Sequence, residues 1–181
     1  MKAGRILRHI TTKNGKEVIL RTPRSEDLDD LLEHINSLVD EGAEIARNDK
    51  TTREEEADWL ERKLSTLEKG EERFIVAELD GKVIATSNLT RRSGYSSHVG
   101  VIGIAITKGY RNIGIGTKML ETLSSEAKKV GLKMLSLQLF STNEAAYHVY
   151  TKLGFKETGR IPKIFYKDGN YIDEVIMTKE I

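Results

Sequence analysis

Two closely spaced glycines follow an apolar, strand-like stretch and precede an amphipathic, helix-like one. The segment reads Arg111-Asn112-Ile113-Gly114-Ile115-Gly116-Thr117. At the start of a helix the first backbone N–H groups lack intrahelical acceptors, and the aligned peptide dipoles favour negative charge. Glycines let a ligand approach the backbone closely. The segment therefore predicts a cradle for a phosphate or diphosphate group.

Two common phosphate-binding motifs do not fit this loop. Gly109 and Gly114 have the spacing of a P-loop, but Ile115 stands where that motif requires lysine. A dinucleotide fingerprint needs another glycine at the place that Met119 occupies. Both departures argue against a nucleotide-binding enzyme of these classes. A loop whose glycines only turn the chain into a helix remains the alternative.

A strand, a helix and a second strand are predicted around this loop. The apolar stretch from His98 to Ile106 predicts a buried strand. One side of the following helix is apolar, and the helix closes at Gly131; its apolar residues are Met119, Leu120, Leu123, Ala127 and Val130. Alternating leucines from Leu135 to Leu139 predict the next strand. A crossover of this kind favours two parallel strands.

The other predicted elements lie on both sides of this unit. A short strand at 18–20 precedes a helix that begins at Ser25, and a second helix begins with a capping box at Thr52 and ends at Gly70. A further helix is capped by Asn143 and stopped by Gly154. Two hairpins have their turns at Asp80-Gly81 and Asp168-Gly169-Asn170. The pattern predicts an α/β (α+β) fold with a mixed sheet flanked by helices.

Composition limits the classes of protein to which the chain can belong. The 181 residues include 38% hydrophobic residues, which suits a single globular domain over 1–181. Lys and Arg number 29 and Asp and Glu 28, so net charge favours neither nucleic acid nor an anionic membrane as partner. Cysteine is absent, which excludes thiolate nucleophiles and disulfides. We expect a soluble cytoplasmic protein.

Several motifs in this order resemble the GNAT acetyltransferase superfamily. They are Arg111-x-x-Gly114-x-Gly116 after Ile104-Ala105-Ile106, then Asn143-x-x-Ala146-x-x-x-Tyr150, then Leu153-Gly154-Phe155. The resemblance covers about residues 74–177. It is nearest to the branch with ribosomal-protein alanine and small-amine acetyltransferases, through segments 52–60, 98–100 and 169–177.

The resemblance implies a mostly antiparallel sheet in which one parallel pair splays apart to admit acetyl-CoA. Backbone groups around Ile104, Ala105 and Ile106 would hold the pantetheine arm, and those from Asn112 through Ile113, Gly114, Ile115 and Gly116 to Thr117 the diphosphate. Arg111 would shape or charge the rim. Asn143 is a helix cap, a coenzyme contact or both. Acetyl-CoA is then the co-substrate, and no metal is expected.

The resemblance also implies direct acetyl transfer to a primary amine, either a protein N-terminus or a small amine. Tyr150 would protonate the leaving thiolate, although its place on an apolar helix face also suits a core residue. The general base is open, because Gly100 stands where many relatives carry glutamate. His98 is one candidate and otherwise an ordinary surface residue. Glu144, Asp173 and Glu174 are others.

Two further alternatives remain at this point. The acidic run Glu54-Glu55-Glu56 with Asp58 either attracts a cationic acceptor or forms a solvated helix face. The chain either turns over acetyl-CoA or only binds it, as a regulatory or interaction module. The resemblance also implies a homodimer formed through the late strands.

Overall fold

Eight strands form one sheet, and four helices pack on its two faces. The structure is a computed structural model that describes all residues from Met1 to Ile181. The strands are β1 (Ile6–Thr11), β2 (Glu17–Arg21), β3 (Glu72–Leu79), β4 (Lys82–Arg91), β5 (Val99–Ile106), β6 (Met134–Phe140), β7 (Lys156–Lys167) and β8 (Asn170–Glu180). The helices are α1 (Leu28–Asp40), α2 (Arg53–Lys69), α3 (Ile115–Lys129) and α4 (Glu144–Lys152).

The sheet has the order β1-β2-β3-β4-β5-β6-β8-β7. Every neighbouring pair is antiparallel except β5 and β6, which are parallel. The predicted fold class and the predicted parallel pair are therefore confirmed. Strand β1 was not predicted, because most of its side chains are exposed and its sequence is rich in polar residues.

The two faces of the sheet carry different helices. Helices α3 and α4 pack on the larger hydrophobic core, where α3 contributes Met119, Leu120 and Leu123 and α4 contributes Tyr150. Helices α1 and α2 cover β3 and β4 on the opposite face, through a smaller cluster that includes Leu31, Leu60 and Phe74. A ligand that reaches β5 and β6 therefore meets different helices on each side.

The turns follow their sequence signals. Asp80 and Gly81 have φ angles of 52° and 81°, and Asp168 and Gly169 have 51° and 80°. Two consecutive positive φ angles match the twist of a two-residue hairpin, which explains the Asp-Gly pairs. The capping box at Thr52 is also present, because Glu55 N donates to Thr52 Oγ1 and Thr52 N to Glu55.

Strands β5 and β6 pair only over their first part. The ladder joins Val99 to Met134 and ends where Val101 pairs with Ser136. Beyond this point both strands continue, β5 to Ile106 and β6 to Phe140, without pairing to each other. The predicted gap is therefore present, and its unpaired part begins at Ile102 on β5 and at Leu137 on β6. None of the helices combines the length and apolar character that a membrane span requires.

Candidate active site

A row of free backbone donors lies where β5 leads into α3. The N–H groups from Arg111 to Thr117 donate to no other group of the chain, and the first bond of α3 is from Lys118 N to Gly114 O. Because these donors stand at the positive end of a helix of 15 residues, they favour an anion. The arrangement has the properties predicted for the cradle.

The two glycines of the cradle are needed for different reasons. Gly114 has a φ angle of 97°, a left-handed conformation that side chains other than glycine rarely adopt. A Cβ on Gly116 would lie 3.1 Å from Ile106 Cδ1 and 3.8 Å from Ile104 Cδ1. Gly116 therefore allows α3 to begin close against β5. Both glycines therefore have a structural role in the turn into α3, in addition to allowing a phosphate to approach the backbone.

Arg111 joins the cradle to two other parts of the chain. Its Nε donates to the carbonyl oxygen of Ile106 at 2.8 Å, and its Nη2 pairs with Glu41 at the end of α1. Its guanidinium is thus held at the rim and still 41% exposed. This position agrees with the predicted role in shaping the rim.

The end of β5 presents peptide groups to the gap. Thr107 N donates to Ile84 O on β4, and peptide groups alternate in direction along an extended strand. The groups of Ile104 and Ile106 therefore point away from β4, towards β6, while those of Ala105 point to β4. Asn143 caps α4, since its Oδ1 accepts from Ala146 N at 3.1 Å. The capping role is confirmed.

Tyr150 is buried, but its hydroxyl is not sealed in the core. The residue is 8% exposed and packs 6.0 Å from the Phe155 ring. The hydroxyl makes no hydrogen bond within the chain, and it is not among the buried atoms that lack a partner, so it retains contact with solvent. Burial raises the pKa of Tyr150 to about 12. The side chain is therefore both a core residue and a free hydrogen-bond donor.

The face of the sheet opposite α3 carries the amide side chain of Asn88 near the gap. Asn88 of β4 is paired with Gly103 of β5, and both lie on the α1 and α2 face because Asn88 is also paired with the core residue Phe74. A Cβ on Gly103 would lie 2.6 Å from Asn88 Oδ1. Gly103 therefore makes room for the amide of Asn88 on this face.

The connection between α1 and α2 borders the same region. Glu41 pairs with Arg111, Glu44 accepts a hydrogen bond from Thr142, and Gly42 accepts one from Lys167. These partners belong to the cradle, to the connection between β6 and α4, and to the last hairpin. The connection therefore joins three elements that border the gap.

His34 is a buried polar residue that the sequence analysis did not select. Its Nδ1 lies 2.7 Å from Thr107 Oγ1 and its Nε2 lies 3.2 Å from Thr86 Oγ1. Burial, with a smaller effect of the Arg111 charge, lowers the pKa of His34 to about 4. The spacing of His34 from Leu31 and Leu38 indicates its burial, but no sequence signal names its threonine partners.

We expect stability to fall in acid because of His34. The pKa of His34 is lower in the folded chain than in the unfolded chain. Between pH 6.5 and 4 the unfolded chain is therefore the more protonated at His34, which favours unfolding. Between pH 7.5 and pH 4.5 this effect lowers the free energy of unfolding by about 2 to 3 kcal/mol. Urea unfolding at pH 7.5 and 4.5 should show a smaller decrease for His34→Gln than for the wild type. Equal decreases in both proteins would contradict this assignment.

His98 and Gly100, the two positions near the start of β5 considered for the general base, do not face the gap. His98 is exposed in the turn before β5, and Ile104 follows six residues later, about 20 Å away at about 3.3 Å per residue. The structure therefore does not bring His98 to the gap. A Cβ on Gly100 would lie 2.5 Å from Leu89 Cδ1, so this position faces the core.

The three carboxylates named as candidates also differ. Asp173 accepts from Lys163 N at 2.9 Å, which ties it to the hairpin, and Glu144 is exposed in the first turn of α4. Glu174 accepts from Gln138 Nε2 at 2.9 Å and is paired with Phe140 at the end of β6. Glu174 therefore lies beside the unpaired part of β6.

The three glutamates at the start of α2 lie in three different environments. Glu54 is exposed, Glu55 completes the capping box, and Glu56 is only 7% exposed. Burial raises the pKa of the Glu56 carboxyl, and the charge of Arg47 opposes this rise. The fully solvated helix face considered above is wrong for Glu56. The burial of Glu56 is indicated in the sequence by its spacing of four residues from Leu60, which is buried on the same side of α2.

Two surface cavities, of about 330 and 280 Å³, lie away from this region. The larger one is bordered by the outer side of α3 with Leu153 and Lys179, and the other lies beside Gly70 and Arg91. Neither includes a residue of the cradle. The candidate site is therefore defined by the free N–H groups and by the gap between β5 and β6, and not by either cavity.

Comparison with known proteins identifies the family. The model of the Acetyltransferase (GNAT) family matches residues 32–155. An N-alpha-acetyltransferase from Sulfurisphaera tokodaii is 33% identical over 113 residues, which cover 57% of this chain and 67% of that protein.

Two solved structures have the same fold. A ribosomal-protein-alanine N-acetyltransferase from Brucella melitensis has a TM-score of 0.79 at 24% identity, covering 90% of this chain and 99% of that one. A protein from Salmonella typhimurium described as a "putative acetyltransferase", solved with its cofactor acetyl-CoA, has a TM-score of 0.78 at 22% identity, covering 90% of this chain and 93% of that one. The matched segment exceeds half of the chain and contains the cradle, the gap and Tyr150, and the predicted resemblance is confirmed. The chain belongs to the GNAT family of acetyltransferases.

Proposed function

We propose that this chain transfers an acetyl group from acetyl-CoA directly to a primary amine, either a protein N-terminus or a small amine. The run of free N–H groups from Arg111 to Thr117, which follows the part of β5 that is not paired with β6, carries this proposal. It supplies donors for a diphosphate next to an opening that suits an extended arm. Family membership and the relative solved with acetyl-CoA support it.

Two sets of backbone groups would bind different parts of the coenzyme. Donors from Asn112 to Thr117 would hold the diphosphate, and the gap-facing peptide groups of Ile104 and Ile106 would hold the amides of the arm. Recognition of this kind depends on the backbone and little on side-chain identity. The bound coenzyme supplies a thioester carbonyl for attack by the amine.

The chemistry requires one proton acceptor and one donor. An alkyl ammonium with a pKa of about 10 must lose a proton before its nitrogen can attack. Glu174 is the carboxylate placed beside the gap to accept that proton, directly or through water. As the new C–N bond forms and the C–S bond breaks, the nitrogen gives up its second proton to solvent. The Tyr150 hydroxyl donates a hydrogen bond to the departing sulfur, and the thiolate then takes a proton from solvent. The products are an acetamide and free coenzyme A.

Calorimetry and thiol release test this proposal together. We expect acetyl-CoA to bind with a dissociation constant between about 1 µM and 1 mM, the usual range for enzyme substrates. Free thiol should then appear when amines are added, measured with a thiol-reactive dye against peptide, polyamine and amino-acid amines. No heat with either acetyl-CoA or coenzyme A would contradict the proposal. Binding without thiol release would instead indicate a coenzyme-binding module.

Cytoplasmic location and a homodimer through the late strands stay predictions from the sequence. Exposed apolar side chains at the last hairpin suit the homodimer, among them Ile164, Tyr166 and Tyr171. Sedimentation of the purified chain measures its oligomeric state.

A further inference from the structure

One carboxylate on the α1 and α2 face has no partner within the chain. Glu56 is 7% exposed and accepts no hydrogen bond, yet its oxygens are not sealed from solvent. Its neighbours in sequence differ, because Glu54 is exposed and Glu55 caps the helix. A carboxylate that is sunk into the protein and still touches solvent lies at the base of a depression.

The position of Glu56 on α2 places it on the face of the sheet that carries Asn88 and Gly103. Leu60 follows one helical turn later on the same side and packs in the cluster that contains Phe74. Phe74 is paired with Asn88, and Asn88 with Gly103 of β5. Glu56 therefore lies on the face of the sheet opposite α3 and α4. Because the cradle belongs to the start of α3, the face that carries Glu56 is left free for the acceptor.

The charge of Glu56 is only weakly compensated. Arg47 is the charged side chain that acts on it, and this arginine is exposed and makes no ion pair. Arg47 belongs to the connection that reaches the cradle through Glu41 and the start of α4 through Glu44. Because a buried carboxylate without hydrogen bonds is unfavourable, a cation bound in front of it would be stabilised.

We infer that Glu56 binds a second cationic group of the amine acceptor, so that the enzyme prefers acceptors carrying two positive charges. This inference rests on the proposed transfer to an amine. Helix α2 contacts β3, which lies two strands from β5, about 10 Å at about 4.8 Å per strand. That separation suits a cation distinct from the nitrogen that attacks in the gap. A diamine and a peptide with a basic second residue share this chemistry.

The test compares acceptors that differ by one charge. Diamines of six and eight carbons are each paired with the monoamine of equal length, and an alanyl-lysine amide is paired with an alanyl-norleucine amide. For Glu56→Gln, kcat/KM for the dicationic member should fall about 10- to 100-fold, and for the monocationic member less than about threefold. The diamine and peptide pairs show separately which source of the second cation is used.

Glu54→Gln is the matched control, because it removes the same charge from an exposed position two residues away. It should leave kcat/KM within about twofold for every acceptor. Arg47→Ala is a second variant that leaves the packing of α2 intact. By removing the competing cation, it should lower KM for the dicationic acceptors alone.

Two results would overturn the inference. One is an equal loss for dicationic and monocationic acceptors with Glu56→Gln, which would indicate a base or a structural residue. The other is unchanged selectivity in both the Glu56 and Arg47 variants. Failure of the proposed function looks different, because the wild type would then release no thiol with any amine.

Discussion

Replacement of Tyr150 by phenylalanine is expected to lower kcat about 100- to 1000-fold. The affinity for acetyl-CoA should change by less than about threefold, since the substitution removes only one hydroxyl. The reason lies in the placement of that hydroxyl, which has no partner in the chain and is not sealed from solvent. A steady-state comparison of kcat and KM, with thiol release as the signal, measures the effect.

The raised pKa indicates how Tyr150 acts. With a pKa of about 12 the phenol keeps its proton across the working range of pH. A thiol of ordinary pKa, about 8.5, is the stronger acid, so complete transfer of the proton to the thiolate is unfavourable. The hydroxyl therefore stabilises the developing negative charge on sulfur as a hydrogen-bond donor. No basic limb below about pH 10 should depend on Tyr150.

Tyr147→Phe provides the matched control on the same helix. Tyr147 is 37% exposed and, unlike Tyr150, is not part of the hydrophobic core. We expect kcat to stay within about twofold of the wild type. If Tyr150→Phe also stays within that range, the hydroxyl has no part in the transfer and Tyr150 is only a core residue.

The sequence predicted the cradle because its determinants are local. Gly114 must adopt a positive φ, α3 begins directly after it, and both properties are visible in a few consecutive residues. The Asp-Gly hairpins and the capping box at Thr52 are local in the same way. Their geometry depends on neighbours within four residues, so no knowledge of the tertiary structure is needed.

The other side of the site depends on contacts between distant residues, which sequence patterns do not show. His34 meets Thr86 and Thr107 only because α1 lies across the ends of β4 and β5. Glu56 was grouped with the exposed Glu54 because a run of three acidic residues resembles a solvated surface. One turn of helix separates Glu56 from Leu60, and that spacing was the available sign of its burial.

His98 is close to the cradle motif in sequence but distant from the gap in the structure. It was a candidate base because it precedes the strand that leads to the cradle, and histidine titrates near neutral pH. The strand is long, however, and the turn that contains His98 lies at the end where β5 is still paired with β6. Nearness in sequence to a motif does not place a side chain at a site when an extended strand intervenes.

Replacement of Thr117 by glutamate is expected to weaken coenzyme binding about 100-fold and to leave the fold intact. Thr117 is in the first turn of α3, and its N–H is one of the free donors. A carboxylate about 5 Å from a phosphate is repelled by about 3 kcal/mol at an effective dielectric constant of about 20. Calorimetry with coenzyme A measures the change in dissociation constant.

The same substitution should act on stability in the opposite direction. A negative charge in the first turn interacts favourably with the helix dipole, which is worth about 0.3 to 1 kcal/mol at an exposed position. Urea unfolding without coenzyme should therefore show equal or greater stability for Thr117→Glu. Weaker binding by a more stable protein separates the loss of a binding site from damage to the fold.

Thr117→Gln is the control for size, since glutamine has the shape of glutamate without its charge. We expect its binding of coenzyme A to be much nearer to that of the wild type. The difference between the two variants should shrink at high salt, because screening weakens repulsion between exposed charges. If glutamate and glutamine weaken binding equally, the effect is steric. If neither weakens it, the diphosphate is not held by the N–H groups at the start of α3, and the cradle only connects β5 to the helix.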